Sequence, residues 1–132
     1  MAIIYENKYL TISNGTLFIQ DENTRLRCFE NDRAALMFLS YLEMDFNLFL
    51  KSKPVNDAQV ISELIDFDYL LNFLISNGTS YWLEKLLFWI VEGNISLSKT
   101  SLGFLKSLLS NRNYPQKIRH TAKKTIVKSQ KY

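Results

Sequence analysis

The stretch Tyr9-Leu10-Thr11-Ile12-Ser13-Asn14-Gly15-Thr16-Leu17-Phe18-Ile19-Gln20 decides how the chain begins. Its flanks, Tyr9–Ile12 and Leu17–Gln20, are rich in β-branched and aromatic residues, and Asn14-Gly15 stands between them. A two-residue type I′ hairpin loop needs φ > 0 at both central positions, which Asn and Gly accept at least cost, so the stretch predicts an antiparallel hairpin. Outward from it, Ala2–Tyr5 and Arg25–Phe29 read as further short strands, with Asp21-Glu22-Asn23 as the turn before the second of them. Residues 1–30 therefore predict a small antiparallel β-meander.

At Asn31 the pattern turns helical. Asn31 or Asp32 can cap a helix by accepting from its free N–H groups, and this helix is expected to run to about Lys51. Its polar residues Ser40, Glu43, Asn47 and Lys51 form one narrow stripe. Apart from Asp45 the remainder is largely apolar (Leu36, Phe38, Leu39, Leu42, Phe46, Phe49, Leu50), which predicts a central position. Lys51-Ser52-Lys53-Pro54 breaks the chain. Helices then follow near Asn56–Asp66, Asp68–Ser76 and Tyr81–Glu92, with Asn77-Gly78 and Gly93-Asn94 as stops and Thr79 or Ser80 as a cap. Ser96 or Ser98 caps a fifth helix to about Ser110, and Pro115 falls in the first turn of a sixth. The expected class is α+β in a single domain over residues 1–132. A β-meander over residues 1–30 precedes a bundle of five or six helices over residues 31–132, the last four paired as stacked αα-hairpins.

An internal echo supports that pairing. Leu74-Ile75-Ser76-Asn77 matches Leu108-Leu109-Ser110-Asn111 at an offset of 34, and Trp82, Leu86, Ile90 and Val91 match Ile118, Ala122, Ile126 and Val127 at an offset of 36. The two-residue difference falls in a loop, where insertions are tolerated. Pro115-Gln116-Lys117-Ile118-Arg119-His120-Thr121-Ala122, with Ile126 beyond, resembles the second helix of a HEAT-type repeat: a proline, an aliphatic-Arg pair, an alanine and a later aliphatic. The upstream copy has neither the proline nor the Arg. The resemblance implies stacked helices and a binding role.

Chemistry-bearing residues are sparse. One cysteine, Cys28, and one histidine, His120, exclude an internal disulfide and a cysteine–histidine metal cluster. Cys28 reads as a buried small hydrophobe and His120 as an exposed or capping residue. There is no Gly-rich phosphate loop, no Gly-Lys-Ser/Thr and no Gly-x-Ser-x-Gly. Asp57, Glu63, Asp66 and Asp68 lie within twelve positions, but a helix break near Asp66 keeps them off one helical face. They read as solvated or capping carboxylates, as a partner-facing acidic patch, or last as an acid–base pair. No enzyme activity, cofactor or metal is expected. The longest strongly apolar run, Leu86–Val91, is far shorter than the roughly 18 residues of a membrane span. Glu6 and Lys8 interrupt any signal-peptide core, so a cytoplasmic protein is expected.

Charge is the strongest remaining signal. Residues 1–98 hold 7 Lys+Arg against 13 Asp+Glu, while residues 99–132 hold 9 Lys+Arg and no acid. Three readings fit: cations near the negative end of a terminal helix, phosphate neutralisation on a nucleic acid, or a protein partner met by complementary charge. On the last helix Ile118, Ala122 and Ile126 should face inward. Lys117, Lys124, Lys128 and Lys131 should face out, and Lys117, Arg119, Lys123, Lys124 and Lys128 form the candidate basic surface. Against nucleic acid, only Tyr114 and Tyr132 stand nearby as rings for stacking.

In size, composition and absence of a catalytic set, together with the HEAT-like piece at Ile118-Arg119, the chain resembles bacterial immunity proteins of contact-dependent growth inhibition and related polymorphic-toxin systems. The resemblance implies a non-catalytic module that binds a cognate toxin domain through the acidic stretch Asp57–Asp68 or the basic helix. A nucleic-acid-binding regulator is the alternative. Many immunity proteins against nucleases are acidic, which matches the first 98 residues and departs from the net charge of +3.

Overall fold

The computed structural model describes residues 8–52, 55–77 and 80–129. The strand expected at Ala2–Tyr5, the breakers Lys53-Pro54 and Gly78-Thr79, and Lys131 lie outside them. Strands β1 (Tyr9–Ser13), β2 (Thr16–Gln20) and β3 (Arg25–Arg27) form an antiparallel sheet in the order β1-β2-β3. Asn14 (φ 51°) and Gly15 (φ 75°) make the left-handed pair that the hairpin demanded, with Ser13 opposite Thr16. Central β2 buries Leu17 and Ile19, and α1 (Asp32–Leu39) and α3 (Val55–Leu64) pack against it. Phe29 joins sheet to helix at φ 65°. A left-handed aromatic residue costs about 1–2 kcal/mol, and edge-to-face packing of its ring on Phe38 at 5.2 Å offsets that. Asn31 then caps α1, its side chain accepting from Ala34 N at 2.9 Å.

The α+β class and the order of its parts are as expected, but the single helix expected from Asn31 to Lys51 is not. After α1 come one 3₁₀ turn (Ser40–Glu43), an extended pair at Met44 and Asp45, and α2 (Phe46–Lys51). The cause lies 45 residues away. Trp89 Nε1 donates to Met44 O at 2.7 Å, and Glu92 Oε1 accepts from Asn47 N at 3.1 Å. A continuous helix would consume both backbone groups internally. The break also lets Phe46 and Phe49 turn onto Trp89, with ring centroids at 5.0 and 4.9 Å. Leu36 and Leu48, two members of the apolar run, remain exposed.

The other helices match the expected segments to within a residue or two: α4 (Phe67–Ser76), α5 (Ser80–Glu92), α6 (Lys99–Leu109) and α7 (Gln116–Ser129). Pro115 precedes α7 and offers its carbonyl to Arg119 N, a cap position rather than the first turn. Ser98 caps α6 by accepting from Ser101 N. The end of α5 is a Schellman turn, with Ile95 N donating to Ile90 O and Asn94 N to Val91 O. Its left-handed residue is Asn94 (φ 52°), not Gly93. Gly93 is needed for room instead, because a Cβ there would stand 2.5 Å from Phe46 Cε2.

Helix α4 packs on α5, α6 on α7, α4 on α6 and α5 on α7, so two hairpins stand side by side. The internal echo coincides with matching burial: Leu86 and Ile90 in the first pair, Ala122 and Ile126 in the second, are all buried. One hydrophobic cluster runs from Leu17 and Ile19 of the sheet to Ile126 of α7. Among the described residues no helix is long and apolar enough to cross a membrane.

Candidate interaction surfaces

The turn between α3 and α4 gathers the acidic stretch. Ile65 and Phe67 are buried and anchor the turn. Asp66 caps α4, accepting from Tyr69 N at 2.9 Å. Glu63, Asp66 and Asp68 consequently line one open groove of about 560 Å³, closed on its far side by Asn94, Ile95 and Ser96 after α5. Among the described residues no Lys or Arg lines this groove. Glu63 and Asp66 are exposed, whereas Asp68 is partly buried and accepts from Ser98 N at 3.0 Å and Ser101 Oγ at 2.5 Å. Asp68 therefore ties α4 to the start of α6 through its Oδ1. Asp57 is exposed on α3 but does not line the groove.

The basic helix divides in a way its sequence did not indicate. Ile118, Ala122 and Ile126 face the core as expected, joined by Thr121 and Thr125, whose hydroxyls donate to Lys117 O and Thr121 O. Lys128 does not face freely outward. Its Nζ donates to Val91 O at 2.7 Å, supplying a cation at the carbonyl end of α5. Lys117 reaches Glu84 of the same helix at 3.0 Å, an exposed pair of small energetic value that sets direction more than stability. With Lys117 beside Glu84 and Lys128 beside Val91, α7 runs parallel to α5. Arg119 is half-buried, and its Nε is enclosed without a hydrogen-bond partner among the described residues. Of the five, only Lys123 and Lys124 stand exposed with no tie to another element among the described residues, so the freely exposed part of the expected basic face is two lysines next to His120 and Val127.

A third surface was not anticipated. Between the 3₁₀ turn and α5 lies an open groove of about 510 Å³, lined by Leu42, Glu43, Met44, Asp45, Lys85, Phe88, Trp89, Val91, Glu92 and Lys128. Phe88 is 45% exposed and Tyr81, two turns before it, 53%. The Tyr81 hydroxyl donates to the Glu43 carboxylate at 2.8 and 2.9 Å, and this bond, followed by partial desolvation and the carboxylate's charge, raises the phenol's pKa above its ordinary value. Lys85 sits 5.5 Å from the Tyr81 ring centre. The sequence did hold a signal: Tyr81, Lys85, Phe88 and Glu92 recur at helical spacing, so two large rings fall on the polar side of α5.

Nucleophilic chemistry finds no support in the geometry. Cys28 is buried, and desolvation pushes its thiol up to about 12, out of the thiolate range, against a smaller lowering by a backbone hydrogen bond. His120 is exposed and its polar neighbour is Gln116, at 3.4 Å. Among the described residues no group of three or more His, Cys, Asp or Glu side chains is placed to hold a metal ion. No protein-family model, curated protein or solved structure matches the chain.

Proposed function

We propose that the protein is a non-catalytic protein-binding module of the immunity type, which binds a toxin domain and blocks it. The observation that carries this reading is the acidic groove at the α3–α4 turn. Glu63 and Asp66 stand exposed on its wall, no cation among the described residues lines it, and the buried Ile65 and Phe67 anchor that wall in the core. A preformed surface of one sign steers and orients a basic partner without an ordering cost. The enclosure of Cys28 and the exposed position of His120, whose polar neighbour is Gln116, support a binding role over catalysis.

The test is to look for a toxin reading frame beside this gene, to co-express its toxin domain with this protein, which should restore growth, and to measure affinity on the purified pair. A tight complex should bury about 1,600 Å². The double reversal Glu63→Lys with Asp66→Lys should weaken binding by tenfold or more. Absence of protection and of binding would overturn the immunity reading, and unchanged affinity in the double variant would move the interface elsewhere. The nucleic-acid reading is weakened by the internal ties of Lys117 and Lys128. It predicts binding that falls steeply with salt and is lost on Lys123→Glu with Lys124→Glu.

A further inference from the structure

We infer that the groove along α5 is a seat for an amphipathic helix of a partner protein, with basic residues on one flank of its apolar stripe and acidic residues on the other. The inference rests on the protein-binding reading above and not on the immunity role. Three observations carry it.

The first is shape. On α5 the lining runs from Lys85 through Phe88 to Glu92, two turns of one helix and about 10 Å at the helical rise, with the exposed ring of Tyr81 one turn before it on the same face. The banks are the segment Leu42–Asp45 and Lys128 at the end of α7, which runs parallel to α5. A trough two helical turns long suits a helix presenting anchors at i, i+3 or i+4, and i+7. Strand addition does not fit, since among the described residues no β-strand borders this groove.

The second is apolar content. Leu42, Met44, Phe88 and Trp89 line the groove, and Phe88 keeps nearly half its surface in water. An aromatic held on a rigid helix in a groove is the usual form of an interface anchor.

The third is polarity across the groove. Glu43 and Asp45 stand on one bank and Glu92 beside them, with its carboxylate on Asn47 N. Lys128 stands on the other bank with its Nζ on Val91 O, and Lys85 of α5 adds a second cation to the lining; exposed Lys124 lies one turn before Lys128 on α7, outside the lining. Opposite signs on opposite banks select a ligand whose own flanks differ in sign, and disfavour any helix charged alike on both sides.

The test uses three stapled 18-residue helical peptides with one Leu/Phe stripe. One has Lys on one flank and Glu on the other, one has Lys on both, and one has Glu on both. Fluorescence anisotropy against the full chain should give the mixed peptide at least tenfold tighter binding than either single-sign peptide. The Trp89 indole N–H should shift in NMR spectra on binding. Phe88→Ala, at an exposed position that leaves the core intact, should weaken the mixed peptide at least tenfold. Glu43→Lys with Asp45→Lys, which makes both banks basic, should transfer preference to the all-Glu peptide. Equal affinity for all three peptides, no binding by any, or indifference to Phe88→Ala would overturn the inference. Glu63→Lys with Asp66→Lys should leave peptide affinities unchanged, so failure of the acidic groove and failure of this one are read separately.

Discussion

Replacing Gly93 by alanine tests the packing that joins α5 to the broken helical segment. A Cβ at Gly93 would lie 2.5 Å from Phe46 Cε2, 2.9 Å from Phe46 Cδ2 and 3.2 Å from Ile95 Cδ1. Carbon atoms rest comfortably at about 3.5–4.0 Å, so the ring must retreat by about 1 Å. Phe46 has nowhere easy to go, being 2% exposed and held between Trp89 at 5.0 Å and Phe67 at 6.1 Å between ring centroids. Overpacking of this kind costs about 1–3 kcal/mol. Alanine recovers about 0.4–1 kcal/mol by restricting the unfolded chain. The net expectation is a loss of about 1–2 kcal/mol, or about 3–8 °C in Tm for a chain of this size. Calorimetry and urea denaturation followed by circular dichroism measure it. In a Phe46→Leu background, where the ring edge is gone, most of the Gly93→Ala penalty should vanish, giving a coupling of about 1 kcal/mol. A Gly93→Ala protein as stable as the parent, or additive effects in the double variant, would refute the packing argument.

Trp89→Phe keeps a ring but leaves Met44 O without its donor, and should cost about 1–3 kcal/mol in urea denaturation; a change below about 0.5 kcal/mol would mean that the bond does not hold the break open. Lys128→Met should lower stability by about 1 kcal/mol through loss of the donor to Val91 O, whereas Lys124→Met on the exposed side should stay within about 0.5 kcal/mol. Equal melts for the two would remove Lys128 from its capping role. Cys28 should resist Ellman's reagent at pH 8 in the native protein and react at once in urea, and rapid native reaction would place the thiol at the surface. Its thiol pKa is raised on folding from 9.0 to about 12, so its contribution to stability is complete below about pH 9 and is lost as pH rises toward 12.

Much of this architecture was legible because local chemistry decides it. Asn14-Gly15 dictates its own turn through backbone sterics, and Asn31, Asp66 and Ser98 announce helix starts because their short side chains reach the free N–H groups. The apolar period of α7 pointed Ile118, Ala122 and Ile126 inward, as they stand, whereas the break near Asp66, which argued against a shared helical face, is the turn that brings Glu63, Asp66 and Asp68 onto one groove. The α5 groove was harder to see. Its lining comes from three separated segments, and only the misplaced rings Tyr81 and Phe88 hinted at it.

The sequence by itself determined the α+β class, the hairpin, the paired terminal helices and the separation of acidic from basic charge, since each depends on neighbours within a few residues. Tertiary structure alone decided the rest. Residues 40–46 are helical in pattern, with Tyr41, Leu42, Met44 and Phe46 apolar, yet Trp89 and Glu92 claim the backbone groups of Met44 and Asn47, and aromatic burial outweighs one uninterrupted helix. Likewise nine terminal cations look alike in the sequence. Only the packing of α7 beside α5 turns Lys128 into a helix cap and gives Lys117 an acidic partner, because a charge's role depends on what lies within a few ångströms of it in space.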